Sequence, residues 1–150
     1  MKGALKEGVA VHFPAWRGRS LPRVRSLYGT SPVFRAEFDT VRHVLDGHLQ
    51  VPLVAAVFAP SDGVDEALLD VPSYGNAALF AYQTALFGLW QSWGLRPARV
   101  AGDGVGAVTA AYVLGRLDLD RAARAATQEG AGAPPPRRQV EAVSGVSQAV

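Results

Sequence analysis

The stretch RVAGDGVGAVTAAYVLG, at residues 99–115, constrains the fold more than any other part of the chain. Its first four residues, Arg99–Gly102, predict a short strand, and the small residues at 105–114 predict a helix that packs closely on a sheet. Three glycines alternate through the turn between them: Gly102, Gly104 and Gly106. Glycine accepts the backbone angles of tight turns, so this pattern predicts a sharp strand-to-helix elbow. A strand, an elbow and a helix in this order indicate an α/β domain whose functional edge lies at the carboxyl ends of its strands.

Other strands are scarce in the sequence. Residues 8–13 (GVAVHF) predict a second strand, which Pro14 stops, and residues 15–25 are predicted to be a loop. Because two strands make a poor sheet, either further strands escape the pattern or the chain lacks part of its sheet. The run AGAPPPRRQ cannot continue a helix. It divides a predicted domain at 1–130 from a Pro-rich linker and a weakly helical or disordered tail at 131–150.

Several helices are predicted between and after these strands. Ser31-Pro32 is typical of a helix start. The helix at 33–45 then places four apolar residues on one face: Phe34, Phe38, Val41 and Leu45. Residues 77–93 predict a long helix that is apolar on several sides and therefore buried, with Gly94 at its end. Shorter helices are predicted at 52–58, at 105–114 and at 119–128, and an acidic linker at 61–70 includes a helical turn.

The composition excludes several classes of protein. The chain has 150 residues, 49% of them hydrophobic, which suits one folded domain. It has no cysteine, so disulfides, thiolate metal sites and a cysteine nucleophile are excluded. A net charge of +2 is too small to argue for nucleic acid. With no apolar run of ~20 residues and no leader pattern, we expect a cytoplasmic protein without a membrane partner.

Arginines crowd the segment before the first predicted helix: Arg17, Arg19, Arg23 and Arg25. The simplest interpretation is a solvated loop. The alternative is a contact with an acidic partner.

Four stretches occur in the order and spacing of a known family: VAVHFP, SLYGTSPVFRAEFDTV, ALFAYQTALFGLWQSWGLRPARVAG and AAYVLGRLDLDRAAR. Over residues 9–129 the chain resembles the N-terminal part of a polyketide-synthase acyltransferase domain, of the malonyl-CoA:acyl carrier protein transacylase superfamily. The resemblance implies an α/β fold: the N-terminal half of an α/β-hydrolase-like large subdomain, helix-rich with a short parallel sheet, without the inserted ferredoxin-like small subdomain. Such domains transfer a malonyl-type group from coenzyme A to a carrier protein.

The resemblance also implies a serine nucleophile in a Gly-His-Ser-x-Gly signature. That signature is occupied here by Gly102, Asp103, Gly104, Val105 and Gly106. The glycines that form the turn are kept, but the serine position is a glycine without a side chain to acylate. The histidine position is Asp103, whose carboxylate would oppose an acidic substrate.

Further family residues are missing. The Gly-Gln-Gly-Ser-Gln loop is replaced by residues 15–20 (AWRGRS), and the Gln-Pro before the long helix is Asn76-Ala77. The arginine that pairs with the substrate carboxylate falls at about Glu129. The catalytic histidine lies far downstream in the family, whereas the histidines here all precede the elbow: His12, His43 and His48. No catalytic residue of the family is therefore intact.

Other chemistry is weakly indicated. The Gly-x-Gly-x-Gly turn could bind a dinucleotide phosphate, but Asp103 would repel it, and no cofactor is predicted. Asp103 could act as a lone nucleophile or base, although an N-cap of the helix at 105 is the simpler role. His43 and His48, with Asp46 between them, lack metal-ligand spacing, so no metal is predicted.

These residues predict a non-catalytic, acyltransferase-like scaffold or docking domain of a polyketide synthase system. Its expected partners are a ketosynthase, an active acyltransferase or an acyl carrier protein, or a second copy of itself. Apolar surface of the long helix and open sheet edges are expected to form the docking surface. Two alternatives stay open. The chain is an enzyme, through Asp103 or through a partner chain that completes its site, or it is an inactive remnant within a larger synthase.

Overall fold

The computed structural model describes residues 8–17, 21–59, 64–128 and 139–142. Within them, three strands form one sheet in the order β1 (Ala10–Phe13), β2 (Arg99–Gly102) and β3 (Gln139–Ala142). Strands β1 and β2 are parallel, with Ala10 opposite Arg99 and Phe13 opposite Gly102. Strand β3 is antiparallel to β2. The two predicted strands are thus confirmed as neighbours, joined by a long helical connection.

The described residues form six α-helices and one 3-10 helix. The α-helices are α1 (Pro22–Thr30), α2 (Pro32–Asp46), α3 (Leu53–Val57), α4 (Pro72–Ser92), α5 (Val105–Val113) and α6 (Leu119–Gln128). The 3-10 helix (Val64–Asp70) is the helical turn predicted in the acidic linker. Among the described helices, none is long and apolar enough to cross a membrane.

Helix α2 forms as its sequence predicts. The Ser31 hydroxyl accepts a hydrogen bond from the Phe34 amide at 3.2 Å, and Pro32 occupies the first turn. Both features stabilise a helix N-terminus, because the first amides of a helix have no partner within it. The four predicted apolar residues are all buried and face the core between α2, α4 and α6.

Helix α4 is the buried helix that the sequence predicts, but it starts at Pro72 rather than at residue 77. Pro72 suits a first helical turn, and tertiary contacts hold the residues that follow. The buried Tyr74 hydroxyl accepts a hydrogen bond from the Val51 amide at 2.8 Å. Burial on several sides follows from the position of α4, which packs on α2, α5 and α6.

The loop prediction for residues 15–25 is wrong at its end, because α1 begins at Pro22. Val24 is fully buried, and Leu27 and Tyr28 pack against the core. The Tyr28 hydroxyl donates to the Asp39 carboxylate at 2.9 Å. The helix is hard to recognise in the sequence because arginines alternate with its apolar residues. Contacts with α2 stabilise it.

The prediction of a weakly helical or disordered tail is wrong for β3, which pairs with β2. Strand β3 (QVEA) lacks the apolar run that marks the other two strands in the sequence, and a neighbouring strand supplies its hydrogen-bond partners. The division into residues 1–130 and 131–150 stays a prediction.

The two faces of the sheet differ. Val11, Phe13 and Val100 are buried on the face where α5 and Phe87 pack, and the Phe13 and Phe87 rings meet edge to face at 5.8 Å. Successive residues of a strand point to opposite faces. His12 and Arg99 accordingly lie exposed on the other face.

Candidate functional site

The elbow forms where predicted, between the end of β2 at Gly102 and the start of α5 at Val105. At its tip, Gly104 has φ +57° and ψ −131°, backbone angles that residues with a side chain rarely adopt. The Asp103 amide donates to the Phe13 carbonyl at 3.0 Å, which holds the turn against β1. This is the strained strand-to-helix turn on which serine hydrolases expose their nucleophile.

Two flanking glycines let the backbones approach closely. A Cβ at Gly102 would collide with the Gly106 carbonyl, and a Cβ at Gly106 would collide with the Phe13 carbonyl. The glycine pattern therefore has a packing role whether or not a nucleophile is present.

The loop after β1 covers the tip of the elbow. A Cβ built on Gly104 would lie 2.8 Å from the Ala15 Cβ, closer than real Cβ contacts. Gly104 itself is buried. The direction in which a nucleophilic side chain would project is thus occupied by the Ala15 methyl group.

A hydrogen-bond chain and one aromatic contact hold this loop in place. The Gln83 side-chain amide of α4 donates to the Pro14 carbonyl at 2.8 Å, and the buried Thr109 hydroxyl of α5 donates to the Gln83 amide oxygen at 2.7 Å. The Trp16 indole packs on Gly75 so closely that a Cβ there would collide with the ring. Sequence reasoning missed Gln83 and Thr109. The available signal was their polarity within two apolar helices, because buried polar side chains require partners.

Asp103 does not cap α5, so that prediction is wrong. Gly104 is the N-cap, and no side chain accepts a capping hydrogen bond. The Asp103 carboxylate instead contacts the His12 imidazole, with Oδ2 and Nε2 2.9 Å apart. Both side chains are partly open to solvent, at 41% exposure for His12 and 44% for Asp103. Sequence reasoning treated the two residues separately, since they lie far apart in the chain and meet only through the pairing of β1 and β2.

Of the other predicted residues, only those of the elbow lie near this pair. Val105 is buried at the start of α5, and Asn76 is buried within α4. Glu129 lies outside the described residues. His43 is exposed in the last turn of α2, and His48 lies 3.3 Å from an Asp120 oxygen. In the described ranges, no group of three or more His, Cys, Asp or Glu side chains could hold a metal ion.

The arginine-rich segment is only partly a loop. Arg17 is exposed in the loop after β1, and Arg23 is exposed on α1. Arg25, also on α1, donates to the Phe58 carbonyl at 2.7 Å. Arg19 lies outside the described residues. The segment therefore fixes α1 to the turn after α3 and presents positive charge beside it.

A small cavity of about 210 Å³ lies between α2, α4 and α5, away from the elbow. Its lining consists of Glu37, Thr84, Phe87, Gly88, Gln91, Tyr112 and Val113. The Thr84 hydroxyl oxygen is buried and has no hydrogen-bond partner in the described part of the chain. Burial, together with the negative charge of Glu37, raises the pKa of Tyr112 above its usual value of 10.0.

Helix α4 leaves part of its apolar surface exposed, as the sequence predicts for this helix. Trp93, which follows α4, is 69% exposed, and Trp90 is 36% exposed. Exposed tryptophans are over-represented at the centres of protein interfaces.

The fold and the elbow define an α/β domain with the strand-to-helix turn that is typical of α/β-hydrolase-like proteins. Residues 16–132 match the family model described as acyl transferase domain. The phenolphthiocerol synthesis polyketide synthase type I Pks15/1 of Mycobacterium marinum is 41% identical over 121 residues, covering 81% of this chain and 6% of that protein. The chain belongs to the acyl transferase domain family and is similar to the part of a polyketide synthase that this match covers.

Two solved structures are similar to the fold of this chain. The acyltransferase domain from the second module of the salinomycin polyketide synthase matches with a TM-score of 0.69 at 33% identity, over 80% of this chain and 27% of that one. The malonyl-CoA:acyl carrier protein transacylase FabD of Xanthomonas oryzae matches with a TM-score of 0.64 at 29% identity, over 79% of this chain and 35% of that one. The predicted helix-rich α/β class is confirmed, with a short parallel β1–β2 pair to which β3 adds an antiparallel strand. The chain spans only a minor part of each of these relatives.

Proposed function

We propose that this acyltransferase domain does not transfer acyl groups and serves as a docking element for components of a polyketide synthase. One observation carries the proposal: the Ala15 methyl group occupies the space above Gly104 where a nucleophile would project. A site that had lost only its serine would leave that space open. Here a Cβ at position 104 would come within 2.8 Å of the Ala15 Cβ, closer than real Cβ contacts.

Three further features support loss of the family chemistry. Gly104 offers no atom to acylate, and the histidine position of the signature is Asp103. In serine hydrolases the nucleophile and its base act as a unit, so loss of either removes most of the rate. The resemblance places the family's substrate-binding arginine at about Glu129, and a negative charge there would oppose binding of a malonyl carboxylate.

The expected docking surface is the end of α4, marked by Trp90 and Trp93. The expected partners are a ketosynthase, an active acyltransferase or an acyl carrier protein, and a second copy of the chain could use the same surface. The proposed location is the cytoplasm, and a chain without cysteine fits that reducing compartment. Residues of the 131–150 segment outside β3 (Gln139–Ala142) would serve as a linker to a neighbouring domain.

Intact-protein mass spectrometry after incubation with malonyl-CoA and acetyl-CoA tests the loss of acyl transfer. We expect no mass increase, and a stable acyl adduct on the wild-type chain would refute the proposal. Affinity capture of purified synthase components tests docking. Trp93→Ser should weaken capture, whereas Val71→Ser, at an exposed apolar residue before α4, should not. A chain that neither self-associates nor captures any component would instead favour the remnant interpretation.

A second candidate function is favoured by the contact between His12 and Asp103. An imidazole held by a carboxylate is the usual arrangement of a general base and its orienting group. An enzyme that uses Asp103 by a different mechanism, alone or with a partner chain, would depend on this pair.

A further inference from the structure

We propose that the cavity between α2, α4 and α5 binds a primary ammonium group on a short apolar chain, with the Glu37 carboxylate as its counter-ion. The cavity lies away from the elbow, so this binding site goes beyond the docking function and does not depend on it. Three features of the cavity support the proposal. They are a carboxylate without a cation, further oxygen acceptors beside apolar walls, and a glycine that makes room for the carboxylate.

The carboxylate of Glu37 carries the charge of the cavity. Among the described residues that line it, Glu37 is the only charged one. No lysine, arginine or histidine in the described part of the chain pairs with this carboxylate. The arginines of α2 have other partners. Arg42 contacts Asp39 at 2.9 Å, and Arg35 donates to the Tyr28 carbonyl at 2.9 Å. A cationic ligand therefore meets no competing cation at Glu37, whereas an anion is repelled.

The other lining residues suit an ammonium group with a short hydrocarbon chain. An ammonium group has three N–H donors and no acceptor, and Gln91 and Tyr112 add an amide oxygen and a phenol oxygen to the carboxylate. The negative charge of Glu37 contributes to the raised pKa of Tyr112, as expected for side chains that lie close together. Phe87 and Val113 supply apolar walls. The volume of about 210 Å³ is below the about 300–1,000 Å³ of sites for drug-sized ligands, so the chain must be short.

The donor set does not suit a metal ion. Calcium takes six to eight oxygen ligands, and magnesium requires an octahedral set. Glu37 is the single carboxylate in the described lining, and the described residues contain no group of three or more His, Cys, Asp or Glu side chains that could hold a metal. The combination of one carboxylate with apolar walls favours an organic cation.

Gly88 makes room for the Glu37 side chain on α4. A Cβ built on Gly88 would lie 2.9 Å from the Glu37 Cγ and 3.2 Å from its Cδ, closer than most real Cβ contacts. Glycine inside a helix is destabilising relative to alanine, so its presence here has a cost. Because position 88 has no side chain, the Glu37 carboxyl group lies against α4 at the edge of the cavity. An alanine at this position would displace the flexible Glu37 side chain.

Titration of the full chain with n-butylammonium, followed by NMR of the backbone amides, tests the site. We expect saturable shifts at the amides of Gly88 and Gln91 with a dissociation constant of about 1 mM, because so small a ligand offers few contacts. At equal ionic strength, 1-butanol and butyrate should give no saturable shift, since neither carries the cation.

A free amine and a lysine side chain of a protein share the chemistry that this cavity would recognise. Titration with Nα-acetyl-lysine N-methylamide distinguishes the two sources. Binding as tight as that of n-butylammonium would indicate a lysine side chain, whereas binding of n-butylammonium alone would indicate a free amine.

Two variants change the carboxylate, and each has a matched control. Glu37→Gln should weaken binding of n-butylammonium by about tenfold or more, because it removes a hydrogen bond to a charged group. Gly88→Ala keeps the charge but displaces the carboxylate, and it should also weaken binding. Asp70→Asn removes an exposed carboxylate that does not line the cavity, and Gly29→Ala adds a Cβ in open space. Both controls should bind as the wild type does.

Circular dichroism verifies the fold of each variant. Glu37 is exposed on α2, so Glu37→Gln should fold normally and keeps the test valid if Gly88→Ala is less stable. Saturable binding that is weakened in Glu37→Gln and kept in Asp70→Asn supports the proposal. It is overturned by shifts that grow linearly with the amine concentration, by saturable binding of butyrate, or by equal weakening in the two acid variants. Affinity capture of synthase components is measured separately, so failure of this site leaves the docking function standing.

Discussion

Restoring the family nucleophile tests the closed elbow directly. Gly104→Ser places a side chain at φ +57°, which costs about 1–3 kcal/mol of backbone strain. Its Cβ would also meet the Ala15 Cβ at 2.8 Å, and overpacking of this kind costs about 1–3 kcal/mol. We therefore expect Gly104→Ser to lower the free energy of unfolding by about 2–6 kcal/mol, the sum of the two costs.

A double-mutant cycle separates these two costs. Ala15→Gly removes the methyl group above the turn, so the double variant should recover about 1–3 kcal/mol relative to the sum of the single changes. The cost of backbone strain at position 104 should remain in the double variant. Urea unfolding followed by circular dichroism gives the four free energies.

Gly115→Ser provides the control for strain alone. Gly115 has φ +77°, and no atom lies within 4 Å of a Cβ built there. Its substitution should cost about 1–3 kcal/mol and show no coupling to Ala15→Gly. A coupling energy between positions 15 and 104 below about 0.5 kcal/mol would refute the claim that the Ala15 methyl closes the elbow.

Three further changes have expected signs, each measured by urea unfolding. Gly75→Ala should destabilise the chain because the added Cβ collides with the Trp16 indole, although alanine is intrinsically the better helix former by about 1 kcal/mol. Gly29→Ala, with open space around its Cβ, should stabilise or be neutral, and equal effects of the two changes would contradict the packing of Trp16. Thr84→Val should raise the free energy of unfolding by about 1 kcal/mol, because it removes a buried hydroxyl that has no partner among the described residues. A lower free energy of unfolding would show instead that this hydroxyl is hydrogen-bonded. The hydrogen bond that the Tyr28 hydroxyl donates to Asp39 raises the pKa of Tyr28 above 10.0, and burial is the second cause. The stability that Tyr28 contributes is therefore fully present below pH 10, and it is lost as the pH rises through the raised pKa. Above pH 10, the free energy of unfolding of Tyr28→Phe should fall less than that of the wild type. Parallel curves of the free energy of unfolding against pH would refute this.

The positions of most helices were predictable because their signals are local. The stripe from Phe34 to Leu45 repeats at helical spacing, and all four of its residues are buried. The elbow was predictable for the same reason, since Gly102 and Gly106 lie on either side of Gly104. Helix α1 was missed because arginines interrupt its apolar face. Strand β3 was missed because Gln139 and Glu141 leave it without an apolar run.

The sequence by itself determined what the elbow lacks. A glycine at position 104 has no nucleophile in any conformation, and an aspartate at 103 is not the family histidine. The tertiary structure decided what the elbow holds instead. Ala15 over Gly104 and His12 beside Asp103 are contacts between segments 89 and 91 residues apart, since 104 − 15 = 89 and 103 − 12 = 91. Periodicity reports only the neighbours within an element, whereas these contacts depend on the register of β1 on β2 and on the hydrogen bonds that hold the loop.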